Sequence, residues 1–335
     1  MSEPILEIEG LQIGGPEKES LAVDGLSLSI HAGETHALVG ESGCGKTMTA
    51  LAILGLLPRG FRTRGGSIKL LGEEITALPP ARLRALRGSV MSMIFQEPMT
   101  ALNPVLTVGR QISEVIVAKK ILPPKEARER AVELMGQVGL PRPATLYRAY
   151  PHEFSGGMRQ RVALCVALAA SPRLIVADEP TTALDATVQA QILELLREIQ
   201  TRTGAAILLI THNLLAAGFL ADSLSVLYVG SLLERGPAAQ VLAEPLHPYT
   251  QGLLASQPLL EIGAGALLKA PARLQAIAGQ VPRYQDKPPG CLFYDRCGVS
   301  RAQCARERPP LAPFGASRYA ACPYASPTLW RQTHA

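Results

Sequence analysis

No apolar stretch in these 335 residues is long enough to cross a bilayer: the longest, Val162 to Ala170 and Leu214 to Ala221, stop far short of the roughly 20 residues a helical span requires. Glu3, Glu7 and Glu9 interrupt the N-terminal stretch, where a secretory signal would need a basic start followed by an apolar run. A soluble chain is expected, with any membrane role peripheral. Tight C-x₂₋₄-C pairs, the mark of common zinc sites, are also lacking, and the ferredoxin spacings do not fit either. Of the six cysteines, Cys44 and Cys165 stand apart, while Cys291, Cys297, Cys304 and Cys322 gather near the end. Without a signal for export, disulfides are not expected and metal ligation is, although spacing alone does not choose the metal. Excess charge is nearly absent until residue 281. Beyond it Arg283, Lys287, Arg296, Arg301, Arg306, Arg308, Arg318 and Arg331 outnumber Asp286, Asp295 and Glu307, which accounts for the formal +5 of the whole chain. A basic tail of this kind suits nucleic acid, a membrane surface, or a local anionic centre.

What is present begins with Gly40-Glu41-Ser42-Gly43-Cys44-Gly45-Lys46-Thr47, a match to G-x-x-x-x-G-K-[ST]. An apolar strand, His36 to Val39, runs into it and a helix-forming segment, Met48 to Leu57, runs out. Glycines let the backbone curl so that successive N–H groups converge on a phosphate at the positive end of a helix. Lys46 is then placed to neutralise β- and γ-phosphate oxygens, and the Thr47 hydroxyl to hold Mg²⁺.

Alternating residues 5–13 and the run Leu26 to Ile30 read as strands, and Gly65-Gly66 as the opening of another over Ser67 to Leu71. These antiparallel pieces suggest a small β-subdomain beside an α/β core. Val90 to Phe95 reads as a buried strand with Gln96 at its carboxyl end, where ligands of open α/β sheets gather. A carboxamide there can offer oxygen to Mg²⁺ or orient water. Residues 97–154 change character: a proline-bounded loop leads into helical periodicity at Val108–Lys119 and Lys125–Val138, with no strand, as in an inserted helical subdomain. Ser155-Gly156-Gly157 then precedes a helix to Ala170, a second possible anion site, although an N-cap alone also accounts for Ser155. Leu174 to Ala177, apolar throughout like a strand buried in a parallel sheet, delivers Asp178 and Glu179. Asp178 is placed to reach Mg²⁺ and Glu179 to polarise an attacking water. Thr181 to Asp185 is a turn before a helix from Val188 to Gln200. Ala205 to Ile210 is another buried strand, with His212 at its end, placed to hydrogen-bond a γ-phosphate oxygen or the attacking water.

In their order and approximate spacing the phosphate loop, Gln96, Ser155-Gly156-Gly157, Asp178-Glu179, Asp185 and His212 resemble the nucleotide-binding subunit of ABC transporters. The wording Phe154-Ser-Gly-Gly-Met-Arg-Gln-Arg161, Pro98-Met-Thr-Ala-Leu-Asn-Pro104 and His247-Pro-Tyr-Thr250 narrows the resemblance to ATPase subunits of bacterial dipeptide and oligopeptide importers, a group that includes nickel and metallophore systems. It implies an α/β P-loop NTPase fold with a parallel sheet core, an antiparallel β-subdomain, an inserted helical subdomain and a Cys-rich C-terminal extension. The expected domains are a nucleotide-binding core over 1–96 and 155–250, a helical subdomain over 97–154 that meets the membrane subunits, and an extension over 251–335. It implies ATP and Mg²⁺ as cofactors, and as partners a second ATPase subunit, identical or homologous, two membrane-spanning permease subunits and an extracytoplasmic binding protein, at the cytoplasmic face of the inner membrane. No nucleic-acid module is recognisable.

Each ATP would lie between one phosphate loop and a partner's Ser155-Gly156-Gly157. Longer members carry a segment similar to Gly290-Cys291-x-Phe293-x-x-Arg296-Cys297, and there the four cysteines hold a [4Fe–4S] cluster. The resemblance thus implies such a cluster here, with Zn²⁺ as the alternative and Arg296, Arg301, Arg306 and Arg308 as its counter-charges. Two positions depart from the family. Ile13 takes the place of an adenine-stacking aromatic, no aromatic preceding Phe61, and Asn213 follows the histidine where Asp is usual. A soluble ABC ATPase of translation or repair is the rival class, but it commonly carries two cassettes or a long coiled-coil insertion, and this chain has neither. A metal-sensing regulatory subunit, with the tail as its functional part, is a third reading.

Overall fold

A computed structural model of the chain describes residues 3–17, 20–97, 101–257 and 276–327. Residues 98–100 of the proline-bounded loop, and Trp330 and Arg331 of the tail, lie outside the described residues. In chain order the strands are β1 (Leu6–Gly14), β2 (Leu21–Ile30), β3 (Thr35–Val39), β4 (Arg62–Leu70), β5 (Glu73–Glu74), β6 (Met91–Ile94), β7 (Leu174–Asp178), β8 (Ala206–Thr211), β9 (Ser223–Tyr228), β10 (Ser231–Pro237), β11 (Ala312–Phe314) and β12 (Arg318–Ala320). The chain divides into two compact units. Met1–Ile5, His31–Glu34 and Ala77–Leu208 form the first, and Leu6–Ile30, Thr35–Thr76 and Leu209–Ala335 the second.

In the first unit β6 and β7 run parallel, Met91 opposite Leu174 and Ile94 opposite Ala177. All of β7 is buried, as its unbroken apolar run requires. The helices Val108–Ala118 and Pro124–Gln137 pack against each other, and Gly156–Leu168 touches both. Val108, Ile112 and Ile116 recur every fourth residue and are fully buried, facing a partner stripe of Ala127, Ala131, Leu134 and Met135.

The second unit holds an antiparallel sheet of order β2-β1-β4-β5. Its strands solve a register problem: Ile8 faces Leu28 and Leu11 faces Leu26, so the extra residue of β1 forms a bulge that returns Leu11 and Ile13 to the buried face. Gly66, at φ +79°, lies where a Cβ would come 2.4 Å from the Gly10 carbonyl. Gly65-Gly66 therefore accommodates the bulge inside β4 and does not open the strand. In the same unit β3 runs parallel to β9, β10 is antiparallel to β9, and the tail adds β12 against β10 and β11 against β12.

The tail is tied to this unit by charge. Lys287 Nζ and Arg308 Nη1 reach Asp24 Oδ2 at 3.2 and 2.9 Å, and Arg318 Nη2 reaches Glu234 Oε1 at 2.9 Å. Glu234 is fully buried and also accepts from the Leu246 and His247 amides, both at 2.9 Å. Of the tail's cations expected to balance a metal cluster, Arg308 and Arg296 are thus paired with carboxylates of this unit, Asp24 and Glu41. At Cys291, whose pKa burial raises, the Arg308 charge also works to lower it.

His36, buried in β3, holds Ser225 Oγ at 2.9 Å with Nε2 and Ser223 Oγ at 2.7 Å with Nδ1. Burial, with the nearby Arg235 charge, lowers its pKa to about 4. Below pH 6.5 the unfolded chain then binds a proton that the folded chain refuses. The contribution of His36 is present in full above pH 6.5 and is lost as pH falls to about 4, at about 1.4 kcal/mol per pH unit. Burial lowers His247 to about 3 in the same way, so both histidines contribute to the slope below pH 6.5. Urea denaturation at stepped pH should show His36→Gln reducing that slope by about 1.4 kcal/mol per pH unit, one proton's worth.

Candidate functional site

The helix Lys46–Ile53 starts where the glycine-rich loop ends, and it is shorter than its apolar run suggests because Gly55 turns left-handed at φ +61°. Its N-cap, Gly45, sits at φ +105°, and a Cβ there would come 2.6 Å from the Ala22 carbonyl. Gly40 is equally constrained, with a Cβ position 2.2 Å from the Leu227 carbonyl. No side chain caps this helix, so its first-turn N–H groups are available to an anion at the positive end of the dipole.

Lys46 is only 5% exposed, and its ammonium donates to the Gly40 carbonyl at 2.7 Å and the Glu41 carbonyl at 3.0 Å, with Cys44 Sγ at 3.6 Å. Thr47, Ser42 and Gly43 are exposed, whereas Cys44 is buried and burial pushes its thiol pKa up. The second residue of the loop, Glu41, is held from three sides. Its amide donates to Tyr249 Oη at 2.9 Å, its carbonyl accepts from Lys46, and its carboxylate takes two hydrogen bonds from Arg296, at 2.6 and 2.9 Å. Sequence reasoning missed both partners. Tyr249 was visible within His247-Pro-Tyr-Thr250 and Arg296 within the cysteine segment, but nothing in one dimension links either to residue 41.

His212 also belongs to the second unit and is exposed just beyond β8; its carbonyl accepts from Gln257 Nε2 at 2.9 Å. Asn213 caps the helix Leu214–Leu220, its Oδ1 accepting from the Leu215 and Ala216 amides at 2.9 and 3.2 Å. A neutral amide does there what Asp would do as a cap. Ile13 is fully buried within the sheet, so it offers no open face to a base.

The first unit carries the remaining candidates. Gln96 lies exposed two residues past Ile94, and Asp178 and Glu179 follow Ala177, the register partner of Ile94, so all three share the carboxyl edge of the parallel pair. Asp178 is 2% and Glu179 9% exposed. Glu179 adopts φ +47°, a left-handed conformation costly for a residue with a Cβ, and such strain clusters at functional positions. Thr182 Oγ1 donates to Glu179 Oε2 at 2.7 Å, an orienting contact that sequence reasoning did not single out. Ser155 caps the helix Gly156–Leu168, its hydroxyl accepting from the Met158 amide at 3.4 Å, with Ser155 and Gly156 exposed. A Cβ on Gly157 would come 2.7 Å from Val188 Cγ1. Asp185 caps the helix Ala186–Thr203 by accepting from the Val188 amide at 3.0 Å.

In the second unit Cys291, Cys297, Cys304 and Cys322 line one cavity of about 20 Å³, together with His247. All six cysteines are free thiols. Burial, reinforced by the neighbouring thiols, pushes Cys297 and Cys322 up to about 11. No group of three or more His, Cys, Asp or Glu among the described residues stands close enough to hold a metal ion as arranged. The donor set is nonetheless soft and fourfold, the chemistry that zinc and iron–sulfur centres take. His247 accepts from the Tyr249 amide at Nδ1, 3.0 Å, so its proton is on Nε2, which is buried without a hydrogen-bond partner among the described residues.

The family model described as ABC transporter matches residues 23–182, and that described as Oligopeptide/dipeptide transporter, C-terminal region, matches residues 233–304. The oligopeptide transport ATP-binding protein AppD of Bacillus subtilis (strain 168) is 46% identical over 302 residues, 90% of this chain and 90% of its own length. The dipeptide transport ATP-binding protein DppD of the same organism is 42% identical over 313 residues, 92% of this chain and 90% of its own. Among solved structures, cbiO1 from Clostridium perfringens, part of the ABC transporter complex cbiONQ, superposes with a TM-score of 0.63 at 27% identity, covering 72% of this chain and 92% of that one. The ATP-binding cassette MJ0796, a dimer in a post-hydrolysis state bound to ADP and Pi, gives 0.62 at 25%, covering 70% and 98%.

Gly45→Ala should fold less stably by at least about 1–2 kcal/mol, from the left-handed backbone alone, and should lose nucleotide binding as the loop shifts away from the Ala22 carbonyl. Urea denaturation and a fluorescent-nucleotide titration read the two effects separately.

Proposed function

Because this chain belongs to the ATP-binding subunits of oligopeptide and dipeptide ABC transporters, we propose that it hydrolyses ATP to energise import of dipeptides, oligopeptides or a related small solute. The observation that carries this reading is the joint match of cassette and C-terminal region, with 46% identity to AppD across nine-tenths of both chains. Its partners are a second ATPase subunit, two permease subunits and an extracytoplasmic binding protein, and it works at the cytoplasmic face of the membrane. The helical subdomain, residues 97–154, meets the permeases. Among the described residues no helix is long and apolar enough to cross a membrane.

Lys46 and the amides of residues 40–47 would hold the phosphates, and Thr47, Asp178 and Gln96 are the residues that would hold Mg²⁺, which would neutralise phosphate charge. Glu179, oriented by Thr182, takes the proton of the attacking water, and His212 senses the γ-phosphate. Ser155, Gly156 and Gly157 offer their amides to the γ-phosphate of the partner subunit's nucleotide, with Asp185 beside them at the head of the next helix. The triphosphate supplies the difference in contacts between open and closed states that a stroke requires.

A second reading concerns the tail, where four thiols line one cavity without standing close enough, as arranged, to hold a metal ion: drawn together, Cys291, Cys297, Cys304 and Cys322 would hold a [4Fe–4S] cluster, or in its place Zn²⁺. Bound there, the cluster would add a centre of about −2 charge that braces the extension and can store an electron.

Glu179→Gln should keep ATP affinity and lose steady-state hydrolysis in the assembled transporter; turnover at the wild-type rate would remove Glu179 from this role. Protein purified without oxygen should show the broad visible absorption of iron–sulfur charge transfer. A colourless protein with one zinc per chain would select the alternative, and a colourless, metal-free one would leave the tail without a metal role.

A further inference from the structure

We infer that Arg296, from the C-terminal extension, is a positioning residue for the phosphate loop: it neutralises and fixes Glu41 so that the loop meets an anion with its amides already in place. The inference rests on the reading of residues 40–47 as a nucleotide phosphate site and extends the machinery of that site beyond the cassette.

Three observations carry it. The first is that Glu41 is an acidic side chain inside a loop whose other features all suit an anion. Left alone, its carboxylate would repel a triphosphate, and a fork of two hydrogen bonds from one guanidinium cancels that charge in a fixed geometry.

The second is that Arg296 is itself immobilised. Its side chain is 5% exposed, Nε donates to the Ala278 carbonyl at 2.9 Å, and Nη1 also reaches Tyr228 Oη at 3.3 Å. Its guanidinium carbon lies 5.8 Å from the Tyr228 ring centre and 5.9 Å from that of Phe293. Tyr228, Tyr249 and Phe293 are fully buried and in mutual contact, with ring centres 4.7 to 5.5 Å apart. Tyr249, which holds the Glu41 amide, therefore stands on the same aromatic cluster as the arginine that holds the carboxylate.

The third is that the Glu41 carbonyl is one of the two that carry the Lys46 ammonium. Fixing residue 41 therefore fixes the resting place of the lysine. A loop ordered in advance does not spend binding free energy on ordering itself.

The test uses the full chain and fluorescent ADP with Mg²⁺, with thermal unfolding measured in parallel. Wild type should bind and Lys46→Ala should not. Arg296→Ala should bind about tenfold more weakly, because the phosphate loop then carries an uncompensated negative charge and is itself loosened. Adding Glu41→Ala to Arg296→Ala should regain at least about threefold of that loss, since the repelling charge is gone. A merely structural brace predicts a lower melting temperature in both variants and no such recovery. Arg296→Lys keeps the charge but not the fork and should be about threefold weaker than wild type. Should Arg296→Ala fail to fold, Arg296→Lys carries the test. Affinity within twofold of wild type in Arg296→Ala, or in Arg296→Lys where that carries the test, overturns the inference, as does an absence of recovery in the double variant. Wild type that does not bind, or Lys46→Ala that binds equally well, overturns the nucleotide reading and this inference with it.

Discussion

A lysine ammonium held out of water by backbone carbonyls is the constraint on which the second unit is built. Lys46 donates to Gly40 and Glu41, so its charge is solvated by peptide dipoles while buried. Such a charge is costly without an anion, and a phosphate supplies one. For the carbonyls to stand there, the chain must leave β3 through glycines that tolerate the Leu227 and Ala22 carbonyls at distances no Cβ could accept. The sheet strands thus set the loop from behind, and the loop sets the lysine.

The tail belongs to the same arrangement. Its basic residues suggested three uses when read in sequence: nucleic acid, membrane surface, or balance for a metal cluster. The observed partners are Glu41, Asp24 and Glu234, all in the same unit. Arg296 and Arg318 are nearly buried, and a buried charge without its partner is expensive, so these pairs fix where the extension sits. Cys297 follows Arg296 directly, which puts the four-thiol cavity one residue from the grip on the phosphate loop.

The two carboxylates at the end of β7 are set in different ways. Asp178 ends a fully buried strand, where direction is set by the sheet. Glu179 departs from the strand through a left-handed backbone that Thr182 helps to hold, with its hydroxyl on the carboxylate and its amide on the Glu179 carbonyl. The turn Thr181 to Asp185 therefore orients a carboxylate and then caps the helix that follows, Asp185 accepting from the Val188 amide.

By itself the sequence determined what is local. The phosphate loop, the apolar strand that feeds it, the helices at Val108 and Pro124 and the capping residue Ser155 were legible because each depends on backbone conformation and side-chain periodicity within a few residues. Its errors were also local: Gly65-Gly66 looked like a strand opening because the bulge it accommodates lies on β1, and the Lys46 helix looked longer because Leu56 and Leu57 continue the apolar run past Gly55. Only the tertiary structure decided what depends on distance. Arg296 meets Glu41 across 255 residues and Arg308 meets Asp24 across 284, and no periodicity encodes pairs so separated. Opposite charges far apart in sequence have many possible partners, and the aromatic packing of Tyr228, Tyr249 and Phe293 selects the one that Arg296 takes.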